Sequence, residues 1–263
     1  MKGSTRVTVA SHTENEGAAG AEVVENALLN GRVRLLQPVV GYRAGLDAAL
    51  LAAAVQATAG QRVIEAGCGA GAVLMQLAAR RPGLSLTGLE REPDMADLAR
   101  RNAALNAAPD TQIITGDVAA GFKALELAPF DWAVSNPPFF DDAGALRAPA
   151  AGKRAAWMAD DGLAAWMGFL SKAVVEGGTI TVIHRADRLA DILSLLSDKT
   201  GSVQVRPVHP FADAPAKRVL LRAVKTGRAP LRLLPPLVLH DRSGGKHTAE
   251  AEAVLRGEAE LGW

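Results

Sequence analysis

The residues with the most specific chemistry are Asn136, Pro137 and Phe139, within Asp131-Trp132-Ala133-Val134-Ser135-Asn136-Pro137-Pro138-Phe139-Phe140. Trp132, Ala133 and Val134 form a short apolar run of the kind that makes a buried strand. Two prolines end it, because neither can donate to a strand ladder. Asn136 and Phe139 are therefore expected on a stiff turn at a strand's carboxyl end, the edge where open α/β sheets hold their ligands. The Asn136 and Pro137 carbonyls can both accept hydrogen bonds from one exocyclic NH2 group while the ring of Phe139 stacks on the plane carrying it. Drawing on both N–H bonds makes that nitrogen a better nucleophile. The restricted φ of proline means that little ordering entropy is lost when the base arrives. The plainer reading of the same residues is a strand-ending turn with an apolar plug, since Asn-Pro is a common turn opener.

A second set lies upstream. Gly67, Gly69 and Gly71, in Gly67-Cys68-Gly69-Ala70-Gly71, fall between an expected strand and an expected helix. Glycines there let the backbone approach a ligand closely and aim amide groups at it. The spacing also fits G-x-G-x-x-(G/A), read as Gly67, Gly69 and Ala72, with Glu90 about twenty residues further on. The loop alone does not separate a nicotinamide cofactor from S-adenosylmethionine, because both carry a ribose whose hydroxyls need a carboxylate. Three neighbours favour S-adenosylmethionine. Glu65, just before the loop, would repel a pyrophosphate and welcome an ammonium. Asp117 ends the third strand, placed to accept from the cofactor's adenine amine, and Asn136 ends the fourth, beside the methyl donor. Glu65, Gly67, Gly69, Gly71, Glu90, Asp117 and Asn136 are thus the expected cofactor contacts. Each acid also has a plainer role: Glu65 as a helix cap, Glu90 as a surface acid, Asp117 as a turn residue. Cys68 reads as a small space-filler.

These residues need a scaffold, and the pattern supplies one. After Gly60 strands and helices alternate: strand 62–66, a helix through Leu74 and Leu77, strand 84–89, a helix from Asp94 after Pro93, strand 112–115, strand 130–135. A helix over 163–176 stopped by Gly177-Gly178, strand 179–184, a helix over 187–196 and two final strands, 203–208 and 218–224, complete it. Such alternation predicts an α/β fold, a Rossmann-like seven-stranded, mostly parallel sheet with helices on both faces and an antiparallel edge pair. We read 1–30 as a mobile tail and 31–263 as a single domain. Within it, 31–59 makes an N-terminal hairpin and helix, 60–225 the Rossmann-like core and 226–263 a C-terminal extension. The helix after Asp47 is apolar on nearly every face and is expected to be buried.

Composition narrows the setting. One cysteine excludes a disulfide framework, and five histidines without ligand spacing give no expectation of a metal. Net charge is near zero, and no segment has the apolar length of a membrane span or the core of a signal peptide, so a soluble, cytoplasmic protein is expected. Charge is uneven, however: Lys217, Arg218, Arg222, Lys225, Arg228, Arg232, Arg242 and Lys246 face only Asp241. A phosphate backbone could lie across such a tract, and so could solvent. The long aperiodic stretch 140–162 carries Arg147, Lys153 and Arg154, candidate substrate contacts on a substrate loop.

Taken together, Gly67-Cys68-Gly69-Ala70-Gly71, Gly88-Leu89-Glu90, Gly116-Asp117 and Ser135-Asn136-Pro137-Pro138-Phe139 resemble a class I S-adenosylmethionine-dependent methyltransferase of the small-domain type. Gln37-Pro38, Gly41-Tyr42-Arg43, Leu46-Asp47-Ala48-Ala49-Leu50-Leu51 and the closing Pro235-Pro236-Leu237-Val238-Leu239-His240 are similar to the bacterial valine-tRNA adenine-N6-methyltransferase family. The resemblance implies S-adenosyl-L-methionine as cofactor, S-adenosyl-L-homocysteine as product, and methylation of an adenine's exocyclic amine in RNA, tRNA foremost. It implies Asn136, Pro137 and Phe139 as catalytic residues. Glu65 stands where the family more often has aspartate, and Phe139 where it more often has tyrosine. Three rivals stay open: a protein glutamine N-methyltransferase, a NAD-dependent oxidoreductase and a non-catalytic RNA-binding module. The sequence leaves the oligomeric state unknown.

Overall fold

A computed structural model describes residues 22–40, 44–139, 161–242 and 246–263. The run Arg62–Ala66 forms strand β3, flanked on one side by β4 (Ser85–Glu90) and then β5 (Thr111–Thr115), all parallel. On its other side lies β6 (Phe130–Ser135), also parallel. The chain thus runs outward from β3 and returns to its opposite flank, so the order reverses between β3 and β6. That reversal opens a crevice at the strands' carboxyl ends. Beyond β6 come β7 (Val174–Arg185), parallel to it, and β9 (Arg218–Lys225), antiparallel to both β7 and β8 (Thr200–His209). The seven long strands and the antiparallel edge pair match the expected architecture.

Two short strands add to that count. β10 (Arg232–Leu233) and β11 (Leu237–Val238) both pair in parallel with β8, making nine strands in the sheet. The prolines at 235 and 236 break the ladder between them.

Alternation along each strand covers both faces. Val63, Val134, Ile183 and Leu220 face one apolar cluster with helices α1 (Leu46–Ala54) and α2 (Ala72–Arg80). Ile64, Ala133, Val182 and Leu221 face another with α4 (Asp161–Ala173) and α5 (Leu189–Leu196). Burial on both faces explains why Val63-Ile64 in β3 and Trp132-Ala133-Val134 in β6 are apolar without alternation. Leu50, Leu51 and Ala52 in α1 are fully buried, as its all-round apolarity predicted. Each such leucine contributes about 2 kcal/mol from burial alone.

Three local expectations are corrected. Val23–Leu28, assigned to the tail, forms β1 and pairs antiparallel with β2 (Val33–Pro38) through a turn with left-handed Asn30 and Gly31. The ordered domain therefore begins before residue 31. Helix α3 (Pro93–Leu105) starts at Pro93, one residue before the expected Asp94, with Glu92 as its N-cap. Helix α4 stops at Ala173, and residues 174–178 enter β7 through an irregularity opposite 130–132, with Gly177 at φ +78°.

Buried amides then tie the pieces together. Asn102 of α3 donates from Nδ2 to the Leu36 and Ala70 carbonyls and accepts from the Leu36 N–H, joining β2 to the glycine loop. The C-terminal helix α6 (Ala249–Arg256), capped by the Thr248 hydroxyl, packs Ala251 and Val254 into the α1–α2 core. Trp263 donates from its indole to the Ala54 carbonyl at 2.7 Å. No helix among the described residues is long and apolar enough to cross a membrane.

Candidate active site

The crevice between β3 and β6 is pinned at its floor. Glu65 and Ala66 pair with Val134 and Ser135, and the Ser135 hydroxyl donates to the Ala66 carbonyl at 2.9 Å. The glycine loop and the Asn136 turn therefore leave adjacent strands at the same height. Gly67, Gly69 and Gly71 all adopt positive φ, +70°, +54° and +81°. At Gly67 the need is double, because a Cβ there would lie 2.4 Å from Cη2 of Trp166. The loop is closed by the Leu89 carbonyl, which accepts from both Gly67 and Cys68 N–H groups.

Two acids sit against the loop. Glu90, at the end of β4, accepts from Gly69 N–H on Oε2 at 2.8 Å and from Glu92 N–H on Oε1 at 2.9 Å. Its carboxylate is thereby locked beside the loop with lone pairs to spare. Glu65 is only 3 % exposed, and its Oε2 has no hydrogen-bond partner among the described residues. Burial, then the Glu90 carboxylate, push its pKa well above the ordinary value, against one hydrogen bond from the Leu74 N–H. A buried carboxyl with an orphaned oxygen suits a cationic ligand group. Asp117 lies just past β5, where its Oδ1 accepts from Ala119 N–H and caps a short turn. The Cys68 thiol is buried and its pKa is pushed up by that burial and by Glu65 and Glu90; its sulfur fills the space a side chain at Gly88 would need. It behaves as packing.

On the β6 side, Asn136 and Phe139 are half-buried and Pro137 is buried. The Phe139 ring meets the His184 imidazole edge-on at 5.3 Å, and the Arg218 guanidinium lies over it at 4.8 Å. His184 is 2 % exposed; burial, then Arg188, Arg185 and Arg218, lower its pKa to about 4. It is neutral at physiological pH. Neither His184 nor Arg218 was legible as a neighbour of Phe139, because they come from β7 and β9, far along the chain.

The basic tract looks different in three dimensions. Arg218 pairs with Asp47, Lys225 with Glu176 and Arg242 with Asp213, while Arg222 reaches Gln204, Gln56 and Trp263. Much of its charge is thus engaged by the protein itself. Arg147, Lys153 and Arg154 lie outside the described residues. Those residues hold no group of three or more His, Cys, Asp and Glu side chains able to hold a metal ion.

The same region is what known proteins share. Residues 41–154 match the methyltransferase small domain family. The release factor glutamine methyltransferase of Escherichia coli is 37% identical over 81 residues, 31% of this chain and 28% of that protein. The chain thus aligns with under a third of that relative's length. The tRNA1(Val) (adenine(37)-N6)-methyltransferase of Aeromonas hydrophila is 29% identical over 184 residues, 68% of this chain and 75% of that protein. In structure, a predicted O-methyltransferase from Agrobacterium tumefaciens superposes with a TM-score of 0.68 at 29% identity, covering 82% of this chain and 98% of that one. S-adenosylmethionine is the methyl donor of such enzymes. Residues 41–154 thus carry the methyltransferase small domain, and the chain resembles the class I S-adenosylmethionine-dependent methyltransferases of that type and, within them, the bacterial valine-tRNA adenine-N6-methyltransferases.

Proposed function

We propose that the protein is an N-methyltransferase acting on the exocyclic amine of an adenine in RNA, tRNA foremost. The observation that carries this reading is the Asn136-Pro137-Pro138-Phe139 turn standing beside the Gly67–Gly71 loop, held there by the β3–β6 register and the Ser135 hydroxyl.

The residues present fit the cofactor, since an orphaned Glu65 oxygen, a left-handed glycine cradle and a locked Glu90 carboxylate offer what its ammonium, chain and ribose require. In this reading Gly67, Gly69 and Gly71 lie against the methionine and ribose, Glu65 takes the ammonium, Glu90 the ribose hydroxyls and Asp117 the adenine. When bound, S-adenosylmethionine supplies an electrophilic methyl group on a sulfonium.

The rest is the work of this chain's own residues. Phe139 stacks the acceptor base, which is easily splayed from single-stranded RNA. The Asn136 and Pro137 carbonyls accept the two amine hydrogens, orient the nitrogen lone pair and favour the positive charge that develops there. No strong base is needed, since the amine loses its proton after transfer. The buried Glu65 also disfavours the pyrophosphate of a nicotinamide cofactor, which argues against the oxidoreductase reading.

One rival retains a specific observation: the 37% identity over 81 residues with a release factor glutamine methyltransferase. A glutamine amide presents the same planar NH2 to the same turn. Labelled methyl transfer from S-adenosylmethionine to unmodified total tRNA, with a protein extract in parallel, separates the two. Label recovered as N6-methyladenosine supports the RNA reading; label in protein moves it to glutamine.

A further inference from the structure

Arg218 reads in the sequence as one cation of a basic tract, yet its surroundings are those of a built contact. Its Nε donates to Oδ2 of Asp47 at 2.9 Å and its Nη1 to the Lys217 carbonyl at 3.1 Å. Asp47 sits in the first turn of α1, where the helix dipole favours a carboxylate. Both side chains are partly shielded, 29 % and 20 % exposed, so their attraction is less screened than at an open surface. The guanidinium so anchored lies over the Phe139 ring at 4.8 Å. Topology explains how it gets there. Register pairs Arg218 with Arg185 and Val219 with His184, so β9 begins at the same sheet edge where β6 ends, two strands away. That is about 10 Å of sheet, within reach of an arginine side chain.

We propose that Arg218, held by Asp47, is a positioning residue for methyl transfer: it covers one face of Phe139 and so fixes the ring plane on which the acceptor stacks. The inference rests on the reading that Phe139 stacks the acceptor. A ring has two faces, and one is taken by a cation that is itself immobilised from α1. The acceptor is left the other face. The His184 imidazole packs against the same ring, perpendicular to it, with the centroids 5.3 Å apart. Arg218 and Asp47 thus act through Phe139 and touch neither cofactor nor reacting atoms. This assignment removes Arg218 from the candidate phosphate contacts, since a carboxylate already neutralises it.

A double-mutant cycle tests the idea on whichever acceptor the native enzyme methylates, unmodified tRNA or a release-factor peptide. Arg218→Gln should lower kcat/KM about tenfold when Phe139 is present and less than about twofold in a Phe139→Leu background. Arg218→Lys should recover part of the loss, and Asp47→Asn should produce a smaller loss of the same sign. S-adenosylhomocysteine affinity should stay unchanged in all of them. Losses that add across the cycle, together with a flatter salt dependence of RNA binding, would make Arg218 a phosphate contact and overturn the proposal. A second measurement needs no substrate. In protein labelled with 3-fluorophenylalanine, the Phe139 resonance, identified by its loss in Phe139→Leu, should move in both Arg218→Gln and Asp47→Asn. An unmoved resonance overturns the proposal whatever the acceptor proves to be. Absence of transfer to either acceptor, with the resonance moving, would sink the acceptor reading and leave the ring-positioning contact standing.

Discussion

Replacing Glu65 by glutamine should make the free protein more stable and its cofactor affinity weaker. The carboxyl is 3 % exposed, one oxygen lacks a partner among the described residues, and Glu90 adds repulsion. Its pKa is raised in the folded state, so the unfolded chain binds fewer protons above the ordinary carboxylate range. Stability contributed by Glu65 is therefore present below about pH 4 and is lost as pH rises through the folded pKa. Glutamine keeps the shape and removes the charge. Relief of one uncompensated buried group is worth about 1–3 kcal/mol, or a melting temperature higher by a few degrees at pH 8. The cofactor loses a charge-assisted hydrogen bond of about 1.5–3 kcal/mol, which is roughly 10- to 150-fold in affinity. The two effects are similar in size and opposite in sign, as expected where a site holds strain for its ligand. Melting curves from pH 5 to 8.5 and calorimetric titration with S-adenosylhomocysteine would measure both. Methylthioadenosine, which lacks the amino-acid moiety, should bind native and variant protein equally. If Glu65→Gln instead melts lower and binds S-adenosylhomocysteine as well as the native protein, Glu65 is a structural cap on α2 through Leu74.

Gly67→Ala combines a left-handed backbone with a 2.4 Å approach to Trp166; about 2–4 kcal/mol should be lost in urea unfolding, and a loss below 1 kcal/mol would show that the loop relaxes freely. Asn136→Ala should abolish turnover while weakening S-adenosylhomocysteine binding far less, since Asn136 is one of several expected cofactor contacts, and a collapse of that affinity would place its main role in holding the cofactor or the fold. His184, with its pKa depressed to about 4, favours the folded state above its unfolded pKa and loses that contribution as pH falls from about 6.5 towards 4. The decline should approach 3 kcal/mol and disappear in His184→Phe, which equal acid sensitivity of the two proteins would contradict.

What the sequence determined by itself was everything set by local chemistry. The glycines at 67, 69 and 71 could be read as a cradle because positive φ is a property of single residues, and the structure gives all three that conformation. Alternating elements announced the sheet, and paired prolines marked where β6 must end. What escaped the sequence was set by pairing between distant segments. Val23–Leu28 has neither strict alternation nor an unbroken apolar run to announce a strand, and becomes one because β2 lies opposite it. Leu237–Val238 is too short to be read as a strand and is one only beside β8. The basic tract was legible as charge, but its pairing with Asp47, Glu176 and Asp213 was not, because those carboxylates arrive from other elements. So too with Phe139: an aromatic after Asn-Pro-Pro declares its chemistry in one dimension, whereas the guanidinium over its face and the imidazole perpendicular to it exist only after β7 and β9 have been laid beside β6. Conformation travels with residue type, and so the sequence carried it; neighbours across a sheet are chosen by topology, and only the folded chain could name them.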